Sequence, residues 1–161
     1  MEMKKMYLKL KEEKGSPVFI FIILLVLMLS VFFCLIETYR IIELHDMVVT
    51  EMERAGNIAV EYSMIDEARG YHLSKIDEAA ARDEFNKYFT ERLELNSSFE
   101  KYVDGQRYVK VQFDSFSIDP EAPKMTMKGT LYIDLQLVKN YLTIPIELPF
   151  DVITRNVNME D

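Results

Sequence analysis

The sequence predicts an α+β protein: a transmembrane helix continuing into a stem helix, a second amphipathic helix, and a small antiparallel sheet of three to four strands. Three observations carry this prediction. Residues Pro17 to Ile36 contain no charged side chain. Apolar or small residues then recur in steps of four and three as far as Tyr62, which is the period of a helix. Beyond Gly105 the period falls to two, the period of strands.

Charge is distributed as unevenly as hydropathy. The 161 residues include 19 basic and 27 acidic side chains, for a net charge of −8. Residues 1–16 hold five Lys and three Glu, and residues 37–161 hold 14 basic and 24 acidic side chains. An acidic outer part repels phosphate backbones and anionic headgroups, so no nucleic-acid partner is expected. The single cysteine, Cys34, excludes an internal disulfide framework.

The uncharged block comes first. As a helix its 20 residues rise about 30 Å, the thickness of a bilayer's hydrocarbon core. It shows no polar face, which a helix of a soluble core would need. Ser16 is suited to cap it, and Pro17 fits the first helical position, where a missing N–H costs nothing. The run is longer than the apolar region of a signal peptide, and Glu37-Thr38-Tyr39-Arg40 offers no pair of small residues for a peptidase. Bulky Phe32 and Phe33 before Cys34 argue against a lipoprotein anchor. Lys4, Lys5, Lys9, Lys11 and Lys14 precede the block, whereas Arg40 is the only basic residue after it before Arg54. The positive-inside rule then places residues 1–16 in the cytoplasm and residues 37–161 outside the cell membrane.

The next element is a stem helix over 37–62, with a seam at Ile41, His45, Val48, Met52, Ala55, Ala59 and Tyr62. Small residues Ala55, Gly56 and Ala59 invite close approach of another helix. Glu37 and Arg40 lie one turn apart where the helix leaves the lipid. They read either as an internal pair that sets helix depth or as a contact in which Glu37 meets a positive group on a neighbouring subunit. The candidate subunit contact is therefore Glu37, Arg40, Val48, Met52, Ala55, Gly56 and Ala59.

The remaining residues, 63–161, read as one α+β head. Ser74 with Asp77 resembles a capping box, opening a helix whose apolar part is Ile76, Ala79, Ala80, Phe85, Tyr88, Phe89 and Leu93, closed by Asn96-Ser97-Ser98. Tyr108 to Ile118 alternates Val109, Val111 and Phe113 against Lys110, Gln112 and Asp114. After a turn at Pro120-Glu121-Ala122-Pro123, Met125, Met127, Gly129, Leu131, Ile133, Leu135 and Leu137 share one strand face. A last run puts Leu142, Ile144, Ile146, Leu148, Phe150 and Val152 opposite Pro145, Glu147, Pro149 and Asp151. Pro145 and Pro149 remove donors on the same side of that strand, which makes it an edge. Short connections imply an antiparallel meander, with the two helices covering its apolar face.

Chemistry-bearing patterns are scarce. His45 and His72 are the only histidines and have no cysteine beside them, so no metal or cofactor is expected. There is no glycine-rich phosphate loop and no Gly-x-Ser-x-Gly elbow, and Cys34 lies within the span. Asp66-Glu67, Asp77-Glu78 and Asp83-Glu84 read as solubilising pairs on helix faces, and Asn96-Ser97-Ser98 matches the short glycosylation triplet. An enzyme is not expected.

The order Lys14-Gly15-Ser16, an uncharged span, Ile36-Glu37-Thr38-Tyr39-Arg40 and a continuing helix resembles the TadE-like family. These are minor pilins and pseudopilins of tight-adherence (type IV) pilus machinery, and the likeness is greatest to the divergent branch of Gram-positive bacteria. It extends over about residues 11–62. It implies a pilin-like structural subunit that contacts the bilayer, other pilin subunits and the assembly machinery. It also implies a leader cut after Gly15, which would make Ser16 the first residue. The family pattern carries Glu five residues into the mature chain, but here Ile20 stands there and no acidic residue occurs from Ser16 to Ile36. A leader that is cut and an uncut anchor therefore both remain open. A second class also remains open, a membrane-anchored extracytoplasmic binding or sensor domain outside any pilus.

Overall fold

The computed structural model describes residues 17–64, 75–120, 124–136 and 144–155. Helix α1 spans Pro17–Tyr62 without a break. Helix α2 spans Glu78–Leu93, and strands β1 (Glu100–Val103), β2 (Gln106–Asp119), β3 (Lys124–Asp134) and β4 (Pro145–Arg155) follow. The strands form one antiparallel sheet in the order β1-β2-β3-β4. The meander and the edge position of β4 are thus as the sequence predicts. The backbone divides into two units, one ending at Tyr39 and one beginning at Arg40. Residues 40–62 therefore belong to the sheet domain and are not a free stem.

In that domain the buried stripe of α1 is Ile41, Leu44, Val48, Met52, Ala55, Ala59 and Val60. Leu44 takes the place expected for His45, and Tyr62 points to solvent. The stripe packs with the inner faces of β3 and β4, where Met125, Met127, Leu131, Ile133, Phe150 and Val152 are buried in the same core. Arg40 meets the backbone at Asp134 and Gly56 meets Thr154. Asp134 pairs with Pro145 at the start of β4, and Thr154 lies at its end. Residues 40–56 of α1 therefore run in the same direction as β4.

α2 covers the other half of the same face. Asp77, rather than Ser74, is its N-cap, and the Asp77 Oδ1 accepts from the Ala79 and Ala80 amides at 2.9 and 3.1 Å. Ser74 itself lies outside the described residues. Glu94 in the left-handed region closes the helix. Its buried side chains are Ala81, Phe85, Phe89 and Leu93, whereas Ala79 is exposed and Ile76 precedes the helix, bridged to Met64. Phe85 and Phe89 stack at 5.3 Å and meet Phe113 edge-on, and Phe113 in turn meets Phe99, Phe116 and Phe150.

Strict alternation along β2 would turn Ile118 away from the core. A bulge prevents this: Phe113 pairs with Gly129 and Ser115 with Lys128, so Asp114 is the extra residue and the parity resets. Val109 and Val111 are buried before the bulge, and Ile118 is buried after it. The bulge presses β2 onto β3. A Cβ at Gly129 would land on the Gln112 carbonyl oxygen and 2.7 Å from Phe150 Cζ. β1 is a strand the alternation does not announce. It turns into β2 through Asp104-Gly105, both at positive φ (53° and 74°), an Asp-Gly pair suited to a two-residue hairpin.

Two substitutions test this packing. Gly129→Ala should destabilise the domain by about 2–3 kcal/mol, read as a lowered denaturant midpoint, because backbone blocks the new methyl. At Gly56 a Cβ would lie 2.6 Å from Thr154 Cγ2, which is side chain. Gly56→Ala alone should destabilise. In a Thr154→Ala background most of that cost should disappear, because only Thr154 Cβ, at 3.2 Å, still faces the new methyl and alanine's helix propensity remains.

Candidate functional site

Two surfaces stand out, each within its own unit. In the first, the side chains of Val18 to Ile36 are exposed on every face of the helix. The segment is long and apolar enough to cross a membrane. Its hydroxyls bond to its own backbone: Ser30 Oγ donates to the Val26 carbonyl at 2.8 Å, and Thr38 Oγ1 donates to the Cys34 carbonyl at 2.9 Å. A helix that satisfies its polar groups internally is what hydrocarbon surroundings require. Cys34 is a free, exposed thiol on this segment.

The second surface is a polar cluster in the sheet domain, where β1, β2 and β3 meet the start of its α1 portion. Arg40 Nη2 donates to the Asp134 carbonyl at 3.0 Å, and its guanidinium stands 5.2 Å from the centre of the Tyr108 ring. Arg107 forks onto the Asp134 carboxylate, with Nε to Oδ2 at 3.1 Å and Nη2 to Oδ1 at 3.2 Å. These bonds hold the Arg107 proton more firmly than in a free side chain, raising its pKa despite partial burial. Glu100 lies 4.0 Å from Arg107 and 3.9 Å from Lys110. Its carboxylate also accepts from the Tyr102 hydroxyl at 3.0 Å, which pushes that phenol above its ordinary pKa. Asp134 is buried, so a paired and hydrogen-bonded partner is what keeps its charge tolerable there.

The structure disperses the expected site residues. Gly15 and Ser16, with the basic leader, lie outside the described residues, as does His72. Glu37 is buried. Arg40 serves the polar cluster. Val48, Met52, Ala55 and Ala59 are at most 1 % exposed, and Gly56 is buried against Thr154. The expectation that these five meet another subunit is therefore corrected: the chain's own sheet occupies the seam. Heptad-like spacing shows that a face is covered, and it does not say by what. His45 is partly exposed, with Nε2 3.5 Å from the Pro149 carbonyl.

Glu51 was absent from the expected contacts. It is 8 % exposed on the seam side, held by Arg54 at 2.8 Å and Arg92 of α2 at 3.5 Å, and so ties the two helices together. The available signal was an acidic residue one position before Met52, within the apolar stripe. Among the described residues, no three His, Cys, Asp or Glu side chains form a group able to hold a metal ion. Asn96 turns its side chain onto its own backbone, accepting from the Ser98 and Glu100 amides.

No protein-family model, curated protein or solved structure matches this chain significantly.

The Arg107–Asp134 fork yields a direct test. Asp134→Ala should lower the stability of the sheet domain by about 2 kcal/mol in denaturant melts, because it leaves Arg107 without its carboxylate. Lys128→Ala, whose partner Asp151 is as exposed as Lys128 itself, should change stability by less than about 0.5 kcal/mol.

Proposed function

We propose that this chain is a structural subunit, a TadE-like minor pilin or pseudopilin. It is a single-span membrane protein that contributes to assembly of a tight-adherence pilus or a related secretion apparatus. One observation carries the reading: a single helix combines 20 uncharged, outward-facing residues with a distal half that forms the core of a small sheet domain. Such a helix is an anchor and an assembly element in one piece. The resemblance over residues 11–62 supplies the apparatus, and the basic leader supplies the orientation, with the sheet domain outside the cell.

The seam being filled from within changes where assembly contacts belong. Residues 17–36 are the part of α1 whose side chains are exposed on every face of the helix. Between helices in lipid there is no hydrophobic drive, so association rests on van der Waals packing and interhelical hydrogen bonds. The lack of an acidic residue in this stretch removes one charge-based means of register, and packing shape must set it instead.

Photo-cross-linking in the native membrane tests the proposal. A photoreactive residue at Leu29 should give adducts with other single-span proteins of the same cell, and one at Ser117, on the sheet, should give few. Adducts from Ser117 to a soluble ligand, with only lipid captured at Leu29, would favour the anchored sensor and overturn the pilin reading.

A further inference from the structure

We draw no further inference here: the strongest candidate, the outer edge of β4 at Asp151 and the half-exposed Ile153, carries nothing, because nothing in the structure shows what covers it.

Discussion

The packing of residues 41–60 of α1 on the inner face of β3 and β4 is the interaction on which the sheet domain depends. A four-stranded antiparallel sheet with one apolar face is not stable until that face is covered. α2 alone, with Ala81, Phe85, Phe89 and Leu93, reaches the β2 side. The rest is covered by Val48, Met52, Ala55 and Ala59. The contact is bounded at both ends by specific features. Arg40 on the Asp134 carbonyl marks one end, and the missing Cβ of Gly56 under Thr154 marks the other. Thr154 Oγ1 is buried there with no hydrogen-bond partner among the described residues, a cost accepted for close approach.

That packing links the helix and the sheet domain energetically. The same continuous α1 that leaves the uncharged segment supplies a large share of the core, so the domain cannot unfold without releasing the helix that carries it. Sliding α1 along its axis would break the Arg40 and Gly56 contacts together, and rotating it would bury Arg54 or expose Met52. Glu51 adds a restraint across helices through Arg92. An arrangement in which the seam served a neighbouring subunit would leave the inner face of β3 and β4 uncovered.

The β2 bulge is the second organising device, and its effect is on which residues face inward. Without the extra residue at Asp114, Phe116 and Ile118 would turn outward and the phenylalanine cluster would lose its outer members. Gly129 opposite the bulge is required by approach distance: its neighbours are the Gln112 backbone and the Phe150 ring, and no side chain fits between them. Its φ is not the reason, since it lies outside the positive region occupied by Gly105.

Much of this was legible in the sequence, and the legible parts share a cause. Absence of charge over Pro17 to Ile36, periods of 3.6 and 2, and two prolines on one side of β4 are local properties, and each maps onto an element through backbone geometry alone. The α+β class, the long helix, the antiparallel order and the edge strand all follow from them. Hidden from that reading were the parity reset at Asp114, the Asp77 cap, strand β1 and the buried carboxylate of Glu51 with its exposed arginine partners, because each depends on a partner distant in the chain or on a single residue's placement. Above all, spacing identified Val48, Met52, Ala55, Gly56 and Ala59 as a covered seam but left two covers open, another subunit and the chain's own sheet, and tertiary structure decided for the sheet. Periodicity records that a face avoids water. Which surface removes the water depends on which apolar face of matching shape is nearest, and here that is the inner face of the chain's own sheet.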